Sequence, residues 1–373
     1  MESLPVIQPS PQSPPQTGLS DFERKERNVL VFNYTMACPL KCDFCCYGCH
    51  PRRTEKMPES EAARLIGEAG KLGVFSSIGF TGGEPMLFAE EIVRLSRIAK
   101  DEQLSITIAT AGHWGETCAE AQHWISQLAE AGLNRLNISH DPSHAQFVSR
   151  RAIIHIAVVA SSFGIPTYIV GTFYEPGQSL KPMFPEIIDL PHVAIVDKYV
   201  AKVGRAARRS ITQAGYGLKL DLDQLACYRQ IHHDVVVFYD GRVYPCCSTF
   251  NRATEGICVG NAFEEPLESL WRKIDGSLML RIMKRQGFGK LYEVIEQYDP
   301  DLFAELPRAE VAVGPCSLCN AIFSDPQITS RIKAVFERYE SSKILAILDL
   351  VQEIAGEEVM SRVIESVISE CVA

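Results

Sequence analysis

Apolar residues between positions 28 and 210 follow two alternating patterns. Short runs rich in β-branched and aromatic residues predict strands, and apolar residues spaced three or four apart predict amphipathic helices between them. Six strands are expected, at Val29–Tyr34, Ser77–Thr81, Leu104–Thr110, Leu133–Ser139, Pro166–Thr172 and Ala194–Val200. Alternating strands and helices indicate parallel βαβ units, and six units fall short of the eight that close a full barrel. We therefore expect an α/β protein built on a partial (β/α)6 TIM-type barrel.

The pattern changes after residue 210. Two short apolar runs flank Asp240-Gly241 and predict a β-hairpin within a small α+β domain. Apolar stripes between residues 327 and 370 predict two or more helices. The first 27 residues are rich in proline, serine and glutamine and predict a flexible arm. The expected organisation is an arm at 1–27, a barrel at 28–210, a small domain at 211–325 and C-terminal helices at 326–373.

Three cysteines follow the first predicted strand with the spacing C-x3-C-x2-C. They are Cys38, Cys42 and Cys45, within the segment CPLKCDFC. Three thiolates on one loop can bind three irons of a cubane cluster and leave the fourth iron open for a substrate or cofactor. The alternative is a structural zinc loop, although zinc sites favour C-x2-C pairs that repeat at a distance or end in histidines.

This loop resembles the signature of the radical S-adenosylmethionine (radical SAM) superfamily, including the aromatic Phe44 before the third cysteine. The resemblance implies a [4Fe–4S] cluster on Cys38, Cys42 and Cys45, with S-adenosylmethionine (SAM) bound to the open iron. Reductive cleavage of SAM would then give a 5′-deoxyadenosyl radical that abstracts a hydrogen atom from the substrate.

Further residues at strand ends match SAM-binding positions of that superfamily. Gly82-Gly83-Glu84-Pro85 ends the second strand, where the resemblance implies a contact with the SAM ammonium; two adjacent glycines can also mark a simple turn. Other candidates for binding SAM are Thr110 near the ribose, Ser139 after the fourth strand, and an arginine for the carboxylate, either Arg150 or Arg151. Alternatively, Asp141-Pro142 simply starts a helix and both arginines are exposed to solvent.

A second set of cysteines lies in the C-terminal half. Cys227, Cys246 and the pair Cys316 and Cys319 come from three segments and can close a cluster completely. The spacing C-x(9–15)-G-x4-C resembles the twitch and SPASM extensions of radical SAM enzymes. The resemblance implies two auxiliary clusters for a SPASM extension, and only Cys316, Cys319 and Cys371 follow Cys258, so we expect a twitch-like module with one auxiliary [4Fe–4S] cluster. Cys247 or Cys258 can replace one of the four ligands. A zinc ribbon or buried free cysteines are the alternatives.

The catalytic residues of the chain itself are not determined by these motifs. Candidates are Cys46, Cys49, Cys247 and Cys258, since peptide epimerases of the superfamily require a cysteine as hydrogen-atom donor. Arg205, within Gly204-Arg205-Ala206 after the sixth strand, faces the active site or forms a structural ion pair.

Composition and net charge indicate the cellular compartment and the kinds of partner. The chain has 373 residues, 13 cysteines, a net charge of −9 and no segment that resembles a signal peptide or a membrane span. An acidic chain favours neither nucleic acid nor anionic membranes. Many cysteines without export favour metal or redox use in the reducing cytoplasm over disulfides.

The expected partners follow from the resemblance: an electron donor such as flavodoxin or ferredoxin, and a peptide or small-molecule substrate. A ribosomally made peptide that becomes crosslinked, thioether-bridged or epimerised is preferred, with a separate leader-recognition protein as a further partner. The alternatives are a dehydrogenase or epimerase of a sugar or aminocyclitol, and a non-enzymatic zinc or iron–sulfur scaffold. The Gly82–Pro85 segment argues against the scaffold.

Overall fold

A computed structural model describes residues 28–175, 177–209 and 221–355. Its first six strands are parallel and pair in chain order, as the sequence predicts. They are Asn28–Thr35 (β1), Phe75–Gly82 (β2), Ser105–Thr110 (β3), Leu133–Ser139 (β4), Thr167–Phe173 (β5) and Val193–Tyr199 (β6). The α/β class and the partial barrel are thereby confirmed. The expected arm at 1–27 lies outside the described residues.

Four helices cover one face of these strands. They are Glu59–Leu72 (α1), Ala89–Asp101 (α2), Cys118–Glu130 (α3) and Arg150–Ser162 (α4). Alternate strand residues such as Phe32, Ile78 and Ile138 are fully buried, as are the helix residues that face them, such as Leu65 and Ile125. Because successive strand residues point to opposite faces, the intervening polar residues lie on the concave face of the sheet.

The hairpin of the second domain continues the same sheet. Asp234–Phe238 (β7) pairs in parallel with β1, and Arg242–Tyr244 (β8) and Gly260–Asn261 (β9) follow with antiparallel pairing. The strand order is β6-β5-β4-β3-β2-β1-β7-β8-β9. The sequence predicts the hairpin, but not that it extends the barrel sheet, since no local pattern reports a strand pairing about 200 residues away.

The remaining helices surround this extension. They are Leu267–Asp275 (α5), Leu278–Arg285 (α6), Gly287–Tyr298 (α7), Pro300–Glu305 (α8), Pro315–Phe323 (α9) and Pro326–Ala355 (α10). None of the helices in the described part of the chain is long and apolar enough to cross a bilayer.

The C-terminal segment forms one continuous helix, α10, as far as residue 355, where the sequence predicts two or more helices between residues 327 and 370. No proline or glycine interrupts residues 327–355. The second half of α10 does not pack as a core, since Ile344 and Leu345 are more than half exposed. A short 3-10 helix at His144–Gln146 precedes α4, which begins at Arg150.

The end of β2 packs directly against the chain that leads into the cysteine loop. Gly83 N donates to Thr35 O at 2.6 Å, and Glu84 N donates to Ala37 O at 2.8 Å. A Cβ on Gly83 would lie 2.0 Å from Ala37 O, and a Cβ on Gly82 would lie 2.5 Å from Thr35 O. Gly82 also has φ +133°, which favours glycine. The two glycines are therefore required by the approach of two backbones.

We expect the substitution Gly83→Ala to lower the free energy of unfolding by at least about 2 kcal/mol, because its methyl group meets backbone that cannot move aside. Thermal and urea unfolding measure this change. Gly67→Ala is the matched control: Gly67 lies inside α1 with no atom near its missing Cβ, so stability should rise by up to about 1 kcal/mol. Equal effects of the two substitutions would contradict the packing argument.

Candidate metal centres and active site

The structure brings Cys38, Cys42 and Cys45 together between β1 and α1. Cys38 and Cys42 are buried, 9% and 6% exposed, and Cys45 is partly buried. Burial raises the pKa of the Cys38 thiol to about 12, with further contributions from the negative charges of Glu84, Cys42 and Cys45. The three thiols thus interact electrostatically, as expected for ligands of one centre.

Arg205 holds the backbone of this loop. Its Nε donates to Cys42 O at 2.6 Å, its Nη2 donates to Cys49 O at 2.8 Å, and its backbone N donates to Cys45 O at 3.1 Å. The neighbouring Gly204 has φ +58°, and a Cβ there would lie 2.3 Å from Cys46 O. Arg205 therefore acts as a positioning residue through backbone carbonyls rather than through a structural ion pair.

Extra cysteines flank the third thiol. A hydrogen bond from the Cys49 thiol lowers the pKa of Cys45 to about 5, against the effect of burial and with help from Arg205. Cys49 is almost fully buried and lies 4.0 Å from the sulfur of Met36. Burial raises the pKa of Cys46 to about 12. Of the two residues, Cys49 is the one that hydrogen-bonds Cys45.

His144 is a functional candidate that the sequence did not reveal. Its Nδ1 lies 2.8 Å from the buried carboxylate of Asp141. Burial lowers the pKa of His144, but hydrogen bonds with Asp141 and the Cys42 thiol outweigh it and raise the pKa to about 10. The ring of Phe44 lies 5.6 Å away. The only signal in the sequence was its proximity to the end of the fourth strand.

Glu84 connects the ends of β2 and β3. Its buried carboxylate accepts hydrogen bonds from Thr110 Oγ1 at 2.8 Å, Ala111 N at 2.6 Å and Met86 N at 3.0 Å. Burial raises its pKa. Pro85 is buried at the start of a 3-10 helix. A contact of Glu84 with the SAM ammonium stays a prediction, and three protein donors already bind this carboxylate.

The other predicted SAM-binding residues have different surroundings. Ser139 is half-buried on the concave face at the end of β4. Arg150 pairs with Glu186 at the surface, where the two side chains are 41% and 48% exposed, and it also donates to Met183 O. Arg151 is exposed and contacts His155. The expected carboxylate contact of either arginine stays a prediction.

The second set of cysteines also converges. Each pair among Cys227, Cys246, Cys316 and Cys319 interacts electrostatically, and burial raises the pKa of Cys227 and of Cys246 to about 12. Cys316 and Cys319 lie one turn apart on α9, so they share a face of that helix. Lys284 of α6 adds a positive charge beside Cys227 and Cys246.

Cys247 and Cys258 point elsewhere. The exposed Cys247 places its thiol 3.0 Å from Asp234 Oδ2, and Arg229 Nε donates to the same carboxylate oxygen at 2.9 Å. Cys258 contacts Gly260 O at 3.6 Å. The choice of Cys227, Cys246, Cys316 and Cys319 as the four ligands stays a prediction. Within the described ranges, no three His, Cys, Asp or Glu side chains form a site for a single metal ion.

Tyr47 connects the two sets of cysteines. Its hydroxyl donates to Ser248 O at 3.0 Å, and its ring packs edge-on against Phe238 at 5.2 Å. Burial raises its pKa, and the charges that act on it come from the first loop and from Cys246 and Cys247. No motif in the sequence predicts this contact.

Comparisons with known proteins agree with this arrangement. Residues 32–153 match the radical SAM superfamily, and residues 227–286 match SPASM, an iron–sulfur cluster-binding domain. The chain therefore carries a radical SAM domain over residues 32–153 and a SPASM domain over residues 227–286, and these domains support an enzyme. The radical SAM domain implies a [4Fe–4S] cluster and SAM as cofactors, and the SPASM domain implies auxiliary iron–sulfur clusters. The cofactor classes expected from the sequence are thereby confirmed.

Among individual proteins, YydG of Bacillus subtilis (strain 168), named for peptide biosynthesis, is 25% identical over 83% of this chain and 97% of its own length. GTP 3′,8-cyclase 2 of Mycobacterium tuberculosis (strain H37Rv) is 28% identical over 52% of this chain and 54% of its own length. The structure of BtrN with AdoMet and 2-DOIA is 14% identical, with 70% and 89% of the two chains covered and a TM-score of 0.43.

We expect Arg205→Ala to release the cysteine loop, because two charge-assisted hydrogen bonds of roughly 1.5–3 kcal/mol each are lost. Hydrogen exchange of the amides at 42–49 in the cluster-free protein should accelerate at least about tenfold. Arg205→Lys should restore part of the protection.

Arg209→Ala is the matched control for this substitution. Arg209 pairs with Asp43 of the same loop, but its side chain is 48% exposed, so its loss should change exchange little. Identical exchange in the Arg205→Ala and Arg209→Ala proteins would contradict the positioning role.

Proposed function

We propose that Cys38, Cys42 and Cys45 bind the [4Fe–4S] cluster that holds SAM. Three grouped thiols match the donor chemistry of a cubane with one open iron. When bound, the cluster and SAM together supply a 5′-deoxyadenosyl radical that abstracts hydrogen from the substrate. Arg205 binds carbonyls within the loop, and Gly83 and Glu84 bind the chain just before it, which supports this assignment.

We propose that Cys227, Cys246, Cys316 and Cys319 bind one auxiliary [4Fe–4S] cluster. All four thiols interact with one another, and three segments of the chain contribute them. Lys284 compensates part of the negative charge of four thiolates and so supports the same assignment.

We infer that the substrate is a ribosomally made peptide. The observation that carries this inference is the similarity to YydG over nearly the whole of that protein, in contrast to the partial match with the GTP cyclases. The modification of the peptide is a crosslink, a thioether or inversion at a Cα centre. The thiols of the chain help to distinguish these three outcomes.

Cys247 supports inversion at Cα. Cys247 is an exposed residue, and its thiol is oriented by a hydrogen bond to the buried carboxylate of Asp234. In this step the S–H bond of Cys247 breaks, and its hydrogen atom forms the new C–H bond on the opposite face of the peptide radical. The sulfur radical then takes one electron from a low-potential donor such as flavodoxin or ferredoxin, and one proton from solvent.

The test is a reaction in D2O with the reconstituted enzyme, SAM, a reductant and short peptides encoded beside the gene. Inversion through an exchangeable thiol should add one deuterium to the peptide, whereas a crosslink or thioether removes two hydrogens. Mass spectrometry and chiral amino-acid analysis distinguish these products. Cys247→Ala should reduce deuterium incorporation by more than about 100-fold while 5′-deoxyadenosine still forms.

Cys118→Ala is the control, since Cys118 is an exposed thiol at the start of α3. It should leave incorporation unchanged. Turnover of a sugar or aminocyclitol without modification of any peptide would overturn the peptide assignment in favour of the small-molecule alternative.

A further inference from the structure

The concave face of the barrel sheet carries polar side chains that the reaction chemistry above does not use. Ile138 of β4 is fully buried on the side of α4, where it lies with Ile153 and Ile156 around Gly112. Its neighbours Asn137 and Ser139 therefore face the opposite, concave side and are half-buried.

Asn33 of β1 is a polar side chain on this face that is almost fully buried. It is 1% exposed, and in the described part of the chain neither its Oδ1 nor its Nδ2 has a hydrogen-bond partner. It lies in register with Thr81 of β2 and Phe238 of β7. A buried amide without partners costs about 1–3 kcal/mol, and its ideal partner offers both an N–H and a C=O, as a peptide group does.

Two positive charges lie on the same face. Arg135 of β4 stacks over the ring of Tyr168 at 4.5 Å, and its Nε donates to Asn137 Oδ1 at 3.2 Å. This geometry orients the guanidinium and leaves its other N–H groups available. Lys198 of β6 interacts electrostatically with Arg135 and Cys247. Among the residues that the structure describes, neither cation forms an ion pair with a carboxylate.

We propose that this face is a substrate subsite for an acidic residue of the peptide. Its carboxylate binds Arg135 and Lys198, and a neighbouring peptide group binds Asn33. The assignment rests on the proposed peptide substrate and names its class more closely. Two cations without a carboxylate, in a chain of net charge −9, favour an anionic ligand.

The methionyl carboxylate of SAM is the other source of the same chemistry. Arg135 precedes Ser139, at the end of β4, by four residues, but Asn33 and Lys198 lie within two residues of the ends of β1 and β6. Position along the strands therefore does not choose between the peptide and SAM. The experiment below treats SAM as a separate arm.

The test uses anaerobically reconstituted holoenzyme with SAM and three probes: N-acetyl-glutamate N-methylamide, its glutamine counterpart, and glutarate. Ligand-observed NMR titration gives their Kd values. The glutamate probe should bind at least about tenfold more tightly than the glutamine probe. Arg135→Gln and Lys198→Gln should each reduce this preference, and Arg135→Lys should retain part of it.

Arg272→Gln is the charge-matched control, since the side chain of Arg272 is 78% exposed on α5. It should leave the preference intact. Thermal unfolding and equilibrium dialysis with SAM accompany each variant, so that a folding defect or a SAM defect is recognised.

Equal binding of the two capped probes, or no binding of either, would overturn the subsite. Weaker SAM binding in Arg135→Gln with an unchanged probe preference would overturn it in favour of the SAM carboxylate. Glutarate binding without capped-probe binding would overturn the peptide part alone. Peptide modification that persists without any acidic preference would overturn the subsite and leave the proposed function in place.

Discussion

The structure depends on holding one cysteine loop by its backbone. Gly83 and Glu84 donate to Thr35 and Ala37 just before the first thiol, and Arg205 donates to the carbonyls of Cys42 and Cys49. Backbone polar groups in a buried loop must find partners. Here those partners are backbone groups and Arg205, so the loop is ordered through its backbone. The Cys42 and Cys45 thiols have separate hydrogen bonds, with His144 and Cys49.

The position of β1 extends this order to the second set of cysteines. β1 pairs with β2 on one side and with β7 on the other, so the barrel and the SPASM hairpin share one sheet. Tyr47 adds a direct contact, because it leaves the first loop and donates to Ser248, two residues after Cys246. These contacts restrict relative movement of the two sets.

Local sequence patterns are sufficient to predict much of this structure. The strand positions and both cysteine sets follow from spacing and alternation, because these signals lie within a few residues of each other. Contacts between distant residues could not be predicted: His144 reaches Cys42, Arg205 reaches the same loop, and β7 pairs with β1. Two apolar stripes predict separate helices, but both lie on the single helix α10, because stripes do not report whether the backbone between them stays helical.

The most direct measurement is the iron and sulfide content of anaerobically reconstituted protein. Wild type is compared with the triple variant Cys38→Ala, Cys42→Ala, Cys45→Ala. With one cubane of four irons at each centre, the account predicts about eight irons per chain in the wild type and about four in the variant. About four irons falling to none would contradict the auxiliary centre, and zinc in place of iron at both would contradict the account as a whole.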